Sequence, residues 1–258
     1  MISFESNMFV VDLNCDMGES FGAWKMGNDP ALLDHVTSAN IACGFHAGDP
    51  TTIRKTIELA LEKKVAVGAH PGYPDLQGFG RRSMTMKPDE VFDIVLYQVS
   101  AIKGMCESLG GRLHHVKPHG ALYNQAVSDR DLSRAIAKAV AKADPDLIYF
   151  GLAGSQMLTD AKELGLRTSA EVFADRTYQP DGTLTPRSQP NALIQRTDES
   201  IEQVLQMVRS QTVTAVTGEP VPIRAETICI HGDGANALEF AKAIRHALAA
   251  ADITVEAK

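Results

Sequence analysis

The stretch Arg112-Leu-His-His-Val-Lys-Pro-His-Gly-Ala-Leu-Tyr123 begins as a strand and ends in basic side chains. Strand periodicity places His115, Lys117 and His119 on one face, so two imidazoles and an ammonium crowd one end of the strand. A cation between two histidines is expected to lower the pKa of all three groups, which suits proton transfer or anion binding near neutral pH. The stretch therefore predicts a reactive strand end, the alternative being an ordinary solvated loop.

Six other apolar runs have the length of strands, and helical patterns separate most of them. These runs cover 10–16, 39–45, 65–70, 147–152, 167–173 and 227–230. Helices are predicted at 28–33, where Asn28-Asp29-Pro30 gives the start signal, and at 51–63, 88–109, 129–143, 154–164, 198–210 and 235–250, with a small hairpin at 212–223. Strand followed by helix, seven times, predicts a parallel sheet.

Two architectures contain such a sheet. A doubly wound sheet binds ligands at one switch point, whereas a closed barrel gathers the carboxyl ends of all its strands around one mouth. The positions of ionisable residues favour the barrel, because they follow strands that are not neighbours in the chain. These residues are Asp16, His46, His70, Lys117, His119, Glu171, Asp175, His231 and Asp233. We therefore predict that residues 1–258 form a single (β/α) barrel domain.

Composition narrows the range of partners. The chain has 258 residues and a formal net charge of −7, which gives no reason to expect nucleic acid or an anionic membrane as a partner. No stretch approaches 18 apolar residues, and residues 1–11 contain neither lysine nor arginine, unlike a targeting segment. The four cysteines lack CxxC spacing, which argues against a disulfide framework or a zinc finger. A cytoplasmic protein is expected.

Histidines and carboxylates around one mouth are compatible with two kinds of chemistry. They could hold a divalent metal, for which Asp16, His70 and His119 are candidates, although no local spacing such as HExxH supports it. Alternatively, Asp16 or His70 acts as a base while Lys117 stabilises a developing negative charge. The sequence leaves both possibilities open.

Several features point to anion binding. Gly232-Asp-Gly-Ala-Asn-Ala237 matches a GxGxxA dinucleotide pattern, but no further strands of a nucleotide-binding half follow it. In a barrel, it is better interpreted as a phosphate or carboxylate pocket at a helix N-terminus. The segment 177–197 has three prolines and no periodicity, which predicts a lid or binding loop. Arg81, Arg82 and Arg187 are candidates for bidentate contact with a carboxylate.

Six motifs, taken together, resemble the LamB/YcsF family, the A subunits of 5-oxoprolinases. The motifs are Asp12-Leu-Asn-Cys-Asp16-Met-Gly-Glu19, Asn40-Ile-Ala-Cys-Gly-Phe-His46-Ala-Gly-Asp49, Gly68-Ala-His70-Pro-Gly-Tyr-Pro-Asp75, Gly78-Phe-Gly-Arg81-Arg82, Val116-Lys117-Pro-His119-Gly-Ala-Leu-Tyr123-Asn124 and Cys229-Ile-His231-Gly-Asp233. They occur in order along nearly the whole chain, and no motif position departs from the family pattern.

The resemblance implies an irregular seven-stranded TIM-like (β/α) barrel, related to glycoside hydrolase and sugar deacetylase barrels. It also implies partner subunits B and C, in a complex that opens the lactam of 5-oxo-L-proline to L-glutamate. The complex would consume ATP, with Mg²⁺ accompanying the nucleotide. Two alternatives remain: a stand-alone metal-dependent deacetylase or amidohydrolase, and a non-catalytic subunit that only binds substrate.

The expected site combines this resemblance with the residues at the strand ends. The residues expected to be catalytic are Asp16, His70, Lys117 and His119. The residues expected to bind substrate are Asn14, His46, Arg82, Glu171, His231, Asp233 and Gly234.

Overall fold

The structure is a computed structural model that describes residues 9–231 and 237–258. The strands in these residues are β1 Val10–Met17, β2 Ser38–Ala42, β3 Ala66–His70, β4 Leu113–Val116, β5 Ile148–Leu152, β6 Arg167–Phe173, β7 Thr212–Thr214, β8 Pro220–Pro222, β9 Thr227–Ile230 and β10 Thr254–Val255. The helices are α1 Asp29–Leu32, α2 Pro50–Glu62, α3 Pro88–Ser108, α4 Gly120–Ser128, α5 Arg130–Ala143, α6 Gln156–Glu163, α7 Thr197–Arg209 and α8 Ala237–Ala250.

Seven parallel strands of the described chain close into a barrel. Their neighbour order is β1-β2-β3-β4-β5-β6-β9, and β9 pairs with β1 to complete the ring. Asn14 on β1, for example, pairs with Ser38 on one side and with Cys229 on the other. A doubly wound sheet would leave two open edges, so the closed ring confirms the predicted barrel.

The barrel is irregular around β4. The register between β3 and β4 shifts between Val67 and Gly68, and β4 pairs with β5 at only two positions. A Cβ atom on Gly68 would lie 2.1 Å from Nε2 of His115, so a glycine is required to leave room for this imidazole inside the barrel. The irregularity therefore leaves room inside the barrel for the imidazole of His115.

Strand β1 shows how the interior is organised. Its side chains alternate, so Asp12, Asn14 and Asp16 all lie on one face, and all three are buried. Asp12 accepts a hydrogen bond from Ser38 at 2.8 Å, and the Asn14 amide donates to Thr227 at 2.7 Å. The opposite face packs into the hydrophobic core through Val11, Leu13, Cys15 and Met17. Polar layers thus run through the barrel and end at Asp16.

Two elements were not predicted. Helix α4 starts immediately after His119, where Gly120 adopts φ +55°, so the chain turns without a separating loop. Strand β10 is only two residues long, too short to show periodicity, and it extends the sheet beside Val10. The predicted hairpin is confirmed, because β7 and β8 pair antiparallel. The predicted start of the last helix, residues 235 and 236, lies outside the described residues.

No helix in 9–231 or 237–258 combines the length and the apolar character needed to cross a membrane. The four cysteines of the chain lie in these ranges and are buried free thiols.

Asp49 stabilises the start of α2 and provides a pH-dependent test of the fold. Its carboxylate accepts hydrogen bonds from the backbone N–H groups of Thr52, Gly22 and Thr51, and these bonds lower the pKa of Asp49 to about 2. A carboxyl group with a lowered pKa stabilises the fold above its unfolded pKa of about 3.9, and the contribution is lost as the pH falls through the folded pKa. We expect Asp49→Ala to lower Tm at pH 7, with the difference from wild type shrinking from about pH 4 and vanishing only below the folded pKa of about 2. Thermal unfolding across this range checks the prediction, and a difference independent of pH would contradict it.

Candidate active site

The carboxyl ends of the barrel strands open into a cavity of about 700 Å³. Its wall contains all four residues that were predicted to be catalytic, together with His231: Asp16, His70, Lys117, His119 and His231. The segment 183–188, within the predicted binding loop, lines the same cavity. The strand ends therefore converge as the sequence predicted.

Lys117 is held between two carboxylates. Its Nζ lies 2.9 Å from Asp16 Oδ1, 2.9 Å from Glu171 Oε1 and 2.9 Å from Cys229 Sγ. Burial opposes the charged form, but Asp16, Cys229 and Glu171 together outweigh it and hold the pKa of Lys117 well above its ordinary value. The predicted lowering of this pKa is wrong, because carboxylates rather than histidines dominate the surroundings of the ammonium group.

Asp16 connects Lys117 to the histidines. Its Oδ1 accepts hydrogen bonds from Asn40 Nδ2 at 2.8 Å and from Lys117 Nζ, and its Oδ2 lies 3.3 Å from His70 Nε2. Burial raises the pKa of Asp16, but His70 and Lys117 outweigh this and hold it well below its ordinary value. Asp16 is therefore a persistent carboxylate and a weak base.

His70 and His119 face each other, with 2.9 Å between Nε2 of His70 and Nδ1 of His119. The other nitrogen of each ring faces a backbone carbonyl oxygen. Nδ1 of His70 lies 2.7 Å from the carbonyl oxygen of Lys117, and Nε2 of His119 lies 2.8 Å from that of Phe79. Each outer nitrogen is therefore assigned a hydrogen. Two neutral rings would then turn lone pairs toward each other, an arrangement that suits one cation, a proton or a metal ion, between them.

The donor atoms in this gap suit a divalent ion. Metal-bound histidines usually donate their other N–H to a carbonyl or carboxylate, as His70 and His119 do here. The ligand atoms of Glu19, His46, His70 and His119 lie within 4.8 Å of one another, so His70 and His119 would hold the ion with Glu19, and it would supply Lewis acidity toward a bound substrate. Asp16, the third predicted ligand, falls in a separate group with Cys229 and His231. His46 cannot join His119 as a ligand, because the two rings are stacked 3.7 Å apart at 2° and their in-plane lone pairs do not meet.

Three residues predicted to bind substrate lie behind the cavity wall. His46 is fully buried against His119, Asn14 Oδ1 lies 3.3 Å from Lys117 Nζ, and Glu171 contacts the same ammonium group. None of these three residues lines the cavity in the part of the chain that the structure describes. They contact Lys117 or His119 instead, and those two side chains do line the cavity.

Arg82, also predicted to bind substrate, lies outside the cavity. Its side chain is 64% exposed, and its Nε donates to Asp75 at 3.0 Å. The preceding residue, Arg81, lines the cavity instead, with its guanidinium 4.8 Å from the centre of the Phe79 ring. Two adjacent arginines in an irregular loop carry no periodicity, so the sequence could not show which side chain turns inward.

Strand β9 leads to His231 at the cavity wall. Its Nδ1 donates to Asp175 at 2.8 Å, and its Nε2 accepts a hydrogen bond from Arg187 at 2.9 Å. Arg187 was one of the arginines predicted as candidates for binding a carboxylate, whereas Asp175 was recognised only as an ionisable residue at a strand end. The useful signal for Arg187 was its position in the long loop. The predicted residues Asp233 and Gly234 lie outside the described residues.

Comparisons with known proteins find relatives that match nearly the full chain. The LamB/YcsF family model matches residues 11–258. The A subunit of 5-oxoprolinase from Brevibacillus brevis is 56% identical over 97% of this chain and 99% of its own length, and that from Bacillus subtilis is 58% identical over 97% of both. A crystal structure of the lactam utilization protein from Thermus thermophilus has a TM-score of 0.92 and 47% identity, covering 97% of this chain and 100% of that chain.

A more distant structure shares the fold alone. A mutant of a CE4 family pseudoenzyme from Bacillus anthracis has a TM-score of 0.50 and 14% identity, covering 97% of this chain and 66% of that chain. The expected relation to deacetylase-type barrels is therefore confirmed at the level of fold.

Proposed function

Because the chain belongs to the LamB/YcsF family, we propose that it is the A subunit of a 5-oxoprolinase, which opens the lactam ring of 5-oxo-L-proline to give L-glutamate. The observation that carries this proposal is full-length similarity, at 53% to 59% identity, to relatives with that name. A cavity that combines a charged lysine, carboxylates and paired imidazoles supports hydrolysis of an amide.

The reaction is proposed to consume ATP, accompanied by Mg²⁺, and to require partner subunits B and C in the cytoplasm. The word "subunit" in the relatives' names supports partners, and the sequence has no GxxxxGK[ST] loop of its own. An unstrained amide is a poor electrophile. Phosphorylating its oxygen makes the ring carbon more electrophilic and provides a leaving group, so we assign nucleotide chemistry to the partners and ring opening to this barrel.

Lys117 is proposed to stabilise negative charge on the lactam oxygen or its phosphoryl group. The raised pKa of Lys117 keeps the ammonium charged, so it acts electrostatically rather than as a proton donor. Asp16 and Glu171 hold the ammonium group in place from two sides, each 2.9 Å from Nζ.

Proton transfer is proposed to fall to the pair of His70 and His119. Water attacks the ring carbon of the O-phosphorylated lactam and the ring C–N bond breaks, which leaves an acyl phosphate that a second water hydrolyses to the carboxylate and inorganic phosphate. During ring opening, protons pass from the attacking water to the ring nitrogen. The pair donates the proton held between its rings to that nitrogen and recovers one from the attacking water. Asp16 orients His70 rather than acting as the base, because its own pKa is low.

The test is glutamate release from 5-oxo-L-proline by this chain, alone and mixed with its B and C partners, with and without ATP. Release only in the complete mixture containing ATP supports the proposal. Release by the isolated chain without ATP contradicts the need for partners. If a well-folded complete mixture releases no glutamate, the function itself is contradicted. Assays of small amides and acetylated sugars with added divalent metals then test the alternative of a stand-alone amidohydrolase.

A further inference from the structure

We propose that His115 and Asn40 form a positioning pair inside the barrel. In this pair, the Nε2–H group of His115 fixes the side-chain amide of Asn40, and the amide orients the carboxylate of Asp16 toward His70. The kinetic consequence of the pair rests on the proposed function, whereas the pair itself rests on hydrogen-bond geometry.

Asn40 is a fully buried residue of β2 whose side-chain amide contacts Asp16. Its Nδ2 donates to Asp16 Oδ1 at 2.8 Å and to Asn14 Oδ1 at 2.7 Å, so both amide hydrogens are used. The opposite orientation of the amide would turn Asn40 Oδ1 toward these two oxygens, neither of which carries a hydrogen. The nitrogen of the Asn40 amide is therefore assigned to the side of Asp16, and its oxygen to the other side.

His115 lies on that other side of Asn40. Its Nε2 is 2.8 Å from Oδ1 of Asn40, and an amide oxygen can only accept, so Nε2 must carry a hydrogen. Burial lowers the pKa of His115 well below its ordinary value, so the ring is neutral and this is its single N–H group. Nδ1 of the ring then carries the lone pair, and it lies 3.2 Å from Nδ1 of His114. The ring of His115 thus holds Asn40 in the orientation that Asp16 requires.

The barrel interior is shaped around the ring of His115. The ring is fully buried and stacks on Phe150 of β5, with the ring centroids 4.2 Å apart and the planes 13° from parallel. Gly68 of β3 leaves the space that Nε2 occupies, as described above. These contacts fix the direction in which the N–H group of His115 points.

The direction of the Asp16 carboxylate depends on Asn40. Oδ1 of Asp16 accepts from Asn40 Nδ2 and from Lys117 Nζ, and Oδ2 lies 3.3 Å from Nε2 of His70. Two donors on one oxygen fix the plane of the carboxylate, so the second oxygen is directed toward His70. His115 and Asn40 are described residues that do not line the cavity, so they act on the reaction through Asp16. Misplacing a catalytic group by a small distance lowers the rate of the chemical step.

Two variants separate the hydrogen bond of His115 from its packing. In His115→Gln, the side-chain amide nitrogen can take the position of Nε2 and still donate to Asn40. His115→Met fills a similar volume without a donor. Both variants lose the stacking on Phe150, so each is the matched control of the other. Thermal unfolding of the full chain shows whether each variant remains folded.

The first measurement is NMR of the full chain with ¹⁵N-labelled histidines. The signals of His115 are those that disappear in His115→Gln, and the signals of His70 are those that disappear in His70→Asn. We expect His115 at pH 7 to be the tautomer with hydrogen on Nε2. The tautomer with hydrogen on Nδ1 overturns the pair, because Asn40 would then have to turn its oxygen toward Asp16. This measurement on wild type decides the matter even if both variants fail to fold.

The second measurement is the kinetics of glutamate release by the complete complex. His115→Met should lower kcat about 10- to 100-fold and leave KM nearly unchanged, because His115 does not touch the substrate. His115→Gln should keep most of the wild-type kcat. In the NMR spectra, the His70 signals should move in His115→Met and stay near their wild-type positions in His115→Gln.

Equal rates in the two variants overturn the pair, because the hydrogen bond would then not matter to the reaction. A change in KM without a change in kcat does the same. Failure of the proposed function has a different signature: a complete wild-type mixture that releases no glutamate contradicts the function, and the tautomer of His115 then decides the pair. Normal release with hydrogen on Nδ1 of His115 contradicts the pair alone.

Discussion

Replacing Lys117 with methionine is expected to lower kcat for glutamate release in the complete complex by at least about 10²–10³-fold. Methionine has nearly the length of lysine but no charge, so the variant removes the group proposed to stabilise the lactam oxygen or its phosphoryl group. Release kinetics at saturating 5-oxo-L-proline separate this effect on kcat from any change in KM.

The same variant is expected to unfold at a lower temperature. Asp16 and Glu171 have side-chain exposures of 7% and 0%, and both would lose the cation that lies 2.9 Å from each of them. Removing one partner of a buried ion pair typically costs about 3–5 kcal/mol. The double variant Lys117→Met/Glu171→Gln removes one of the two stranded charges, so it should recover part of the stability and none of the activity.

These two readouts separate chemistry from folding. Activity that returned together with stability in the double variant would show that Lys117 is structural. If the folded Lys117→Met variant still releases glutamate at the wild-type rate, Lys117 has no electrostatic role in the reaction.

Replacing His70 with asparagine is expected to lower kcat by about 10²–10⁴-fold. The asparagine amide can reproduce the hydrogen bond that Nδ1 makes to the carbonyl oxygen of Lys117, but it has no counterpart of Nε2. The variant therefore removes the nitrogen that faces both Asp16 and His119 while disturbing the backbone little. The measurement is again kcat for glutamate release by the complete complex.

Two further variants test whether the imidazoles act as a unit. If they do, His119→Asn should be about as damaging as His70→Asn, and the double variant should be little worse than either, because coupled residues are not additive. His246→Asn, on the exposed face of α8, should behave like wild type. A His70→Asn enzyme within tenfold of wild type would rule out proton transfer by this pair.

Much of the architecture could be predicted because the alternation of strands and helices is local. Asp12, Asn14 and Asp16 occupy one face of β1 whatever the strand packs against, and their polar character marks that face as the barrel interior. Ionisable residues follow the carboxyl ends of strands that are not neighbours in the chain. Only a closed barrel brings those strand ends together, so the pattern predicted a barrel. Helix α4 was not predicted because it begins immediately after His119 without a separating loop, and strand β10 was not predicted because two residues are too few to show a period.

The site itself was predicted less completely. His70, Lys117 and His119 were expected at the mouth and line the cavity. Their electrostatics were not predictable, because the pKa of Lys117 depends on Glu171, which is 54 positions away in the chain. The choice between Arg81 and Arg82 likewise depends on Asp75, which holds Arg82 on the outside.

By itself, the sequence determined the order of the strands, the face that each strand turns inward, and the set of ionisable residues at their carboxyl ends. These follow from local periodicity and from the short range of backbone hydrogen bonding. Only the tertiary structure decided that Lys117 stays charged between two carboxylates, that His70 and His119 bring one ring nitrogen each within 2.9 Å, and that Arg187 reaches His231. The physical reason is that charge, tautomer and ligand contact depend on atoms a few ångströms apart in space, and closing the barrel brings those atoms together from distant parts of the chain.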